Sequence, residues 1–394
     1  MSRYLTSAEA ATLLGISRQT LYAYVSRGLL HAHPGGQARD SRYLATDVER
    51  LAANRSRGRK PREVARATLD WGLPVLESAL TLIEDGRLYY RGVDAAQLSA
   101  TATVEEVAAL LWDCNVEDAF DGTLPTVCAR LATVQADWAR GRAEQTLLPL
   151  FALACGEDIG AQWHLPRPRQ LASCGLLVRR LAACLLGTAP ATGPLHLQCA
   201  SAWGLDEAAA QLVRRALVLC ADHELNASGF TARCVASTGA SLQAAIIGGL
   251  AALSGPLHGG TTARVEALLD ALDNQADPVA AVQERLARGE ELPGFGHHLY
   301  PQGDVRASAL LAPLLSSHPR WQAVIEAVRT LTGHPPSVDF ALVALRRHLQ
   351  LPPGSAFGLF ALGRSLGWIA HALEQGRSGG LIRPRAAYTG VRPG

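Results

Sequence analysis

Residues 358–375 read GLFALGRSLGWIAHALEQ. The run has the composition of a helix with an apolar face, and Arg364 lies on it one turn from both Phe360 and Trp368. A guanidinium in that setting needs an anionic partner or an aromatic face. The helical reading extends almost throughout from about residue 67. Its runs are punctuated by Gly and Pro clusters such as GTAPATGPLH (187–196) and LPPGS (351–355). There is no internal repeat and no series of alternating strands; LYYRGV (88–93) alone reads as a short strand or extended loop. An all-α architecture follows.

Four segments outward from this helix carry candidate chemistry. PPSVDFALVALRRHL (335–349) puts Asp339 at the head of an apolar helix, where it also reads as an ordinary N-cap. PGFGHHLYPQGDVRA (293–307) sets His297 and His298 among glycines, followed by Asp304 and Arg306. Histidine titrates near neutral pH, and glycine lets a backbone approach a ligand closely. SGPLHGGTTARVEALL (254–269) places His258 just before a helix N-terminus, a position that favours a neutral imidazole. DHELNASGFTAR (222–233) holds His223 ahead of a further helix. Each segment alone reads more readily as structural. Together they make an acid–base set, and Arg306, Arg364 and Arg383 add fixed cations that suit a di- or tricarboxylate. Adjacent His297 and His298 do not converge on one ion, and no metal-ligand spacing supports them, so no metal is expected.

The chain's 394 residues are 48% hydrophobic and 18% charged, which suits a soluble helical protein of two or three domains. Lys60 is its single lysine among 37 basic side chains. Eight cysteines show no C-x-x-C pairing and read as reduced core residues. Thr6, Ser7 and Glu9 interrupt any signal-like apolar start, and Arg179 and Arg180 interrupt the LLVRRLAACLL run. The expectation is a cytoplasmic protein without a membrane span.

The net charge of +2 hides an asymmetry: residues 1–66 carry twelve basic and five acidic side chains, a balance of +7. Within that head, Thr6 and Glu9 form a capping box, Gly15 closes the first helix, and Ser17 caps SRQTLYAYVSRGLL, with Gly28 as its stop. This is a helix-turn-helix, with Arg18, Gln19, Thr20 and Tyr22 outward where base edges are read. Residues 41–51 are predicted to be a further helix, preceded by a loop with Arg39 and Arg42. The head resembles winged helix-turn-helix domains of the MerR and excisionase type, with LLHAHPGGQARDSRYL as the wing. DNA is the partner that this charge and motif favour over a protein-contact module. Residues 52–66 read as a basic linker.

From 67 to 394 the chain resembles citrate synthases. The segments DHELNASGFTAR, GPLHGG, GFGHHLYPQGDVRA, VDFALVAL, LFALGRSLGWIAHALEQ and LIRPRAAYTG follow one another in that family's order, after ESALTLIEDGRLYYRGVDAAQL (77–98). The resemblance implies a large domain (67–259 and 345–394) and a small one (260–344) that closes over substrate in a homodimer. It implies condensation of acetyl-CoA with oxaloacetate and hydrolysis of citryl-CoA, with no cofactor beyond the acyl-CoA substrate. Asp339 would be the base, His258 would stabilise the enol, and His297 would polarise and protonate the oxaloacetate carbonyl. His223, Arg306, Arg364 and Arg383 would hold carboxylates, Arg383 from the other subunit. Burial beside Val338 and Phe340 should raise the Asp339 pKa toward a useful value.

Three places depart from the family's pattern. Thr261, Thr262 and Ala263 follow GPLHGG in place of Ala-Asn-Glu, His298 replaces an arginine, and Ser337 replaces an asparagine. They bear on the acyl-CoA used. Propionyl-CoA, giving 2-methylcitrate, is the alternative substrate, and citryl-CoA cleavage is the reverse direction. A DNA-binding regulator whose body senses a carboxylate or CoA ester is the competing class.

Overall fold

A computed structural model describes residues 4–26, 30, 32–34, 41–45, 47, 48, 51, 76–126, 129–138, 141–155, 163, 165–386 and 388–392. The chain forms two units, residues 1–77 with 385–394 and residues 78–384.

In the first unit, β1 (Tyr4–Thr6) leads into α1 (Ser7–Leu14) and α2 (Arg18–Ser26), followed by β2 (Ala32–Pro34) and β3 (Ser41–Leu44). Thr6 and Glu9 form the expected capping box, and Gly15 ends α1 at φ 61° in the left-handed region. Ser17 Oγ accepts from the Thr20 amide and so caps α2. Leu5, Ala10, Leu14, Leu21, Leu30, Tyr43 and Val48 build a separate small core.

The helix expected over 41–51 is corrected here. Residues 41–44 are the central strand of an antiparallel sheet ordered β1-β3-β2. Alternation decides it, because Tyr43 is fully buried while Arg42 before it is exposed. Helical backbone begins only at Ala45. The β2–β3 pair is the wing. Gly28, Arg39 and the linker 52–66 lie outside the described residues.

The second unit opens with an antiparallel sheet, β4 (Thr81–Glu84), β5 (Arg87–Tyr90) and β6 (Val93–Asp94), of which sequence reading marks only the LYYRGV stretch as extended. Asp85 and Gly86, at φ 51° and 74°, make the two-residue turn between β4 and β5. Asp-Gly favours that left-handed pair and is a strong short-range hairpin signal. Sixteen helices follow among the described residues. They are α3 (Ala95–Thr101), α4 (Val104–Trp112), α5 (Val116–Ala119), α6 (Ala129–Asp137), α7 (Ala143–Cys155) and α8 (Arg167–Leu186). Next come α9 (Leu195–Trp203), α10 (Glu207–Cys220), α11 (Ala227–Ser237), α12 (Leu242–Leu253) and α13 (Thr261–Asp273). The last are α14 (Pro278–Ala287), α15 (Val305–Leu311), α16 (Pro319–Thr332), α17 (Val338–His348) and α18 (Ser355–Ser378).

Helix α18 is the axle of this unit, packed by α4, α7, α8, α10, α11, α12, α13 and α17. Every residue from Ser355 to Leu373 is buried, as expected of a helix without a polar face. Among the described residues it is the one helix long and apolar enough to cross a bilayer, yet protein covers that stretch throughout. Its glycines admit close neighbours: a Cβ on Gly363 would strike Leu217 O, and one on Gly367 would strike Ala221 O and Asp222. The end of α10 and the loop after it can therefore lie directly against α18. Tyr90 of β5 fastens the same corner, donating to the Val218 and Leu219 carbonyls at 3.0 and 3.1 Å. This corner carries His223.

Candidate active site

Five structural elements bring six of the predicted residues together. His223 follows α10, and His258 stands three residues before α13. His297 lies on the loop before α15, which supplies Arg306; Asp339 and Arg364 come from α17 and α18. The His223 and His297 rings meet edge to face with centroids 5.1 Å apart. His258 meets the Phe360 ring edge-on at 6.0 Å, and the Arg364 guanidinium lies 5.0 Å over that same ring.

The three histidines are uncharged at neutral pH. Burial pushes His258 down to about 3, helped by the Arg364 and Arg306 charges. Burial and Arg306 bring His297 down to about 4. Burial, Arg306 and Arg364 hold His223 well below the usual range. The Leu299 amide donates to His297 Nδ1 at 3.2 Å, so the proton of that neutral ring sits on Nε2. His258 Nε2 lies 2.8 Å from Ser228 Oγ, and Ser228 in turn donates to Asn226 Oδ1 at 2.7 Å. Asn226 caps α11 by accepting from the Gly229 amide. One capping residue thus orients the ring beside the cleft.

Asp339 behaves in the opposite sense. It is the second residue of α17; the N-cap position belongs to Ser337, so the capping role is not its own. Ser337 Oγ donates to Asp339 Oδ2 at 3.2 Å. Oδ1 is shut away from solvent without a hydrogen-bond partner. Burial raises the carboxyl pKa to about 6 against the pull of Arg306 and Ser337.

The two arginines differ in how they are held. Arg306 is buried in a two-pronged pair with Asp304, Nε to Oδ1 at 2.9 Å and Nη2 to Oδ2 at 2.8 Å. Arg364 gives its Nε to Cys220 O at 2.8 Å, but its Nη2 is buried with no partner. An unanswered buried donor on a cation calls for an anion. Sequence reading missed three members of this site. Tyr300 lies 3.1 Å from His223 Nε2 through its hydroxyl and lies under Arg306, while Ser228 and Asn226 hold His258. Tyr300 sits inside the quoted loop and Asn226–Ser228 inside the quoted helix start, but no spacing rule marks them.

Arg383 stands apart, exposed in the extended segment after α18. His298 contributes no ring to the cluster contacts just described. No group of three or more metal-ligating side chains converges among the described residues. Cys114, Cys155, Cys174, Cys184, Cys199, Cys220 and Cys234 are not joined in disulfides. In the head, Arg18, Gln19 and Tyr22 are exposed on α2, while Thr20 is half-buried and hydrogen-bonds Ser17 at 2.9 Å. Arg42 is exposed on the wing, opposite His33.

Residues 68–159 and 178–385 match the family described as citrate synthase, C-terminal domain. The chain belongs to the citrate synthase family. Its first 4–56 residues match a helix-turn-helix domain family. Among relatives, the citrate synthase of Haloferax volcanii is 33% identical over 82% of this chain and 95% of its own. A 2-methylcitrate synthase of Corynebacterium glutamicum is 36% identical over 45% of this chain and 49% of its own. The solved citrate synthase of Thermoplasma acidophilum, a ternary complex with carboxymethyl coenzyme A and oxaloacetate, shares the fold. Its TM-score is 0.68 at 24% identity, over 82% of this chain and 95% of that one.

Proposed function

We propose that the body condenses acetyl-CoA with oxaloacetate to give citrate and CoA. The observation that carries this reading is the opposition of pKa values around Arg306. A carboxyl raised to about 6 with an unanswered buried oxygen and three histidines held neutral all feel the charge of that one guanidinium. Asp339 takes a methyl proton from acetyl-CoA, and His258 stabilises the resulting enol oxygen by donating Nδ1–H to it, with Ser228 turning its hydroxyl proton from Asn226 onto Nε2. The enol carbon attacks the oxaloacetate carbonyl carbon, whose oxygen takes the Nε2 proton of His297. His297 thus acts as a neutral donor. Water then hydrolyses citryl-CoA. Arg364 Nη2, Arg306 and His223 hold the carboxylates, and residues 260–344 close as a small domain on residues 67–259 and 345–394. Arg383, exposed in its own chain, serves the pocket of a second copy.

The test is thiol release with oxaloacetate and a panel of acyl-CoAs. Acetyl-CoA should give the highest kcat/KM; preference for propionyl-CoA would make the body a 2-methylcitrate synthase, and release with none would sink the reading. Binding should be ordered. Two buried cations and three neutral rings attract the dicarboxylate first, so calorimetry should show acyl-CoA affinity rising when oxaloacetate is present. Equal affinity with and without it would count against closure as the gate.

The head is read as a DNA-binding module, on the exposed Arg18, Gln19 and Tyr22 of α2 and Arg42 of the wing. Arg39 belongs to the same reading from its place in the wing sequence. Affinity for duplex DNA should fall linearly with salt on logarithmic axes, by a slope of about 0.9 per neutralised phosphate. Arg18→Ala should weaken a preferred site more than random DNA. Salt-independent binding would leave the head without this role.

A further inference from the structure

We propose that Asp222 and His371 form a buried positioning pair that sets the His223 loop for its carboxylate substrate, with Thr81 of β4 as its outer anchor. The proposal rests on the reading of His223 and Arg364 as carboxylate ligands. Neither Asp222 nor His371 touches the reacting atoms; both act through neighbours.

Asp222 and His371 are completely buried, and neither has a part in the chemistry described above. A carboxylate in that position must be answered by donors or charge. Thr81 Oγ1 donates to its Oδ2, and His371 Nε2 lies 3.3 Å from its Oδ1. The imidazole proton points elsewhere, at the Glu224 carbonyl 3.1 Å away. A carbonyl only accepts, so Nε2 carries the proton and His371 is a donor to the backbone beside His223.

That backbone is strained. Glu224 sits at φ 50°, a left-handed conformation that a residue with a side chain keeps only when its surroundings enforce it. Two donors enforce it here, His371 Nε2 and Asn226 Nδ2, the latter at 3.1 Å. Strand β4 is the edge of its sheet, and its Thr81 side chain and Ile83 backbone hydrogen-bond Asp222 and Glu224. His223 therefore stands between two residues that are each clamped from outside. Asp222 is also the carboxylate that most favours the Arg364 cation against burial. One pair thus sets the direction of a substrate histidine and steadies the charge of a substrate arginine. Gly367 makes the approach possible, since a Cβ there would collide with Asp222 Oδ1.

His371→Leu and His371→Gln, in the full-length protein, separate this role from packing. Leucine removes the donor at similar volume; glutamine can still donate to Glu224 O. The expected result for leucine is an oxaloacetate KM raised about tenfold or more, the scale of a lost hydrogen bond at a charged site. Its kcat and acyl-CoA KM should stay within about threefold of the parent, while its Tm falls because Asp222 and the Glu224 carbonyl lose a donor. Glutamine should restore the oxaloacetate KM to within about threefold. A leucine variant with the parental oxaloacetate KM, or one in which kcat and both KM values worsen alike, overturns the proposal. If the parent neither turns over nor binds oxaloacetate by calorimetry, the carboxylate reading falls. The pair is then judged by the imidazole nitrogen resonances of His223: a shift in His371→Leu supports the clamp, and superimposable spectra refute it.

Discussion

Asp339→Asn should leave a folded protein that condenses on the order of 10²–10⁴-fold more slowly, the usual contribution of a positioned base. Asparagine keeps the shape and the Ser337 contact but has no lone pair able to take a carbon-bound proton. The N-cap of α17 lies at Ser337, so the change does not touch helix initiation. In the parent, kcat should rise with pH through about 6 as Asp339 loses its proton. Stability should move the other way. A carboxyl whose folded pKa is raised binds its proton more tightly in the native state than in the unfolded chain, where it titrates near 3.9. Its contribution is therefore fully present below about 4 and lost as pH rises through about 6. At pH 8 the parent carries an uncompensated burial that the variant lacks. Asp339→Asn should then unfold later in urea by on the order of 1–3 kcal/mol, with the advantage shrinking toward pH 4. Parental turnover in the folded variant would remove Asp339 from the mechanism.

What was legible in the sequence divides along physical lines. Helices announced themselves through caps and periodicity, and Thr6–Glu9, Gly15 and the long run around Arg364 are all where local chemistry places them. Strands were less visible. Residues 41–44 are only four long and precede helical residues, so the helical pattern swallowed them; only the buried Tyr43 between neighbouring strands reveals the sheet. The β4–β5 hairpin had its signal in Asp85-Gly86, but the strands are short and half-buried on one face, which blunts alternation. Six of the expected residues come together, and they stood out because charged or titratable side chains are conspicuous beside glycines, at helix heads and on an apolar run. Tyr300, Ser228 and His371 were not, because a hydroxyl or ring inside an apolar segment looks like core until the fold supplies its partner. Asp304 shows the limit best. In the sequence it is half of a charged pair two residues from Arg306; in the structure it is the junction between two helices.

Asp304→Asn should therefore be the most damaging single change for stability. The carboxylate is 1% exposed and accepts four hydrogen bonds. Three come from Arg306, its amide at 3.0 Å, Nε at 2.9 Å and Nη2 at 2.8 Å. The fourth comes from the Val338 amide at 3.0 Å, the first N–H of the helix that carries Asp339. Asparagine offers one acceptor oxygen in place of two, and a donor where Val338 or Arg306 also donates. Removing one partner of a buried pair leaves the other charge unpaired, a loss of about 3–5 kcal/mol. Oxaloacetate affinity should fall with it, because Arg306 loses the fork that aims it. Burial opposes the Asp304 charge, yet Arg306 holds its pKa below the ordinary value. Its stabilisation is thus present above about 4 and lost as pH falls through the lower folded value. The gap between parent and variant in urea should be widest near neutrality and narrow in acid, with the parent the more stable, the reverse in sign of Asp339→Asn. Asp304→Asn combined with Arg306→Met removes the orphaned charge and should recover part of the stability without recovering activity. A single variant as stable as the parent at pH 7, with unchanged oxaloacetate affinity, would mean that Asp304 neither anchors Arg306 nor joins α15 to α17.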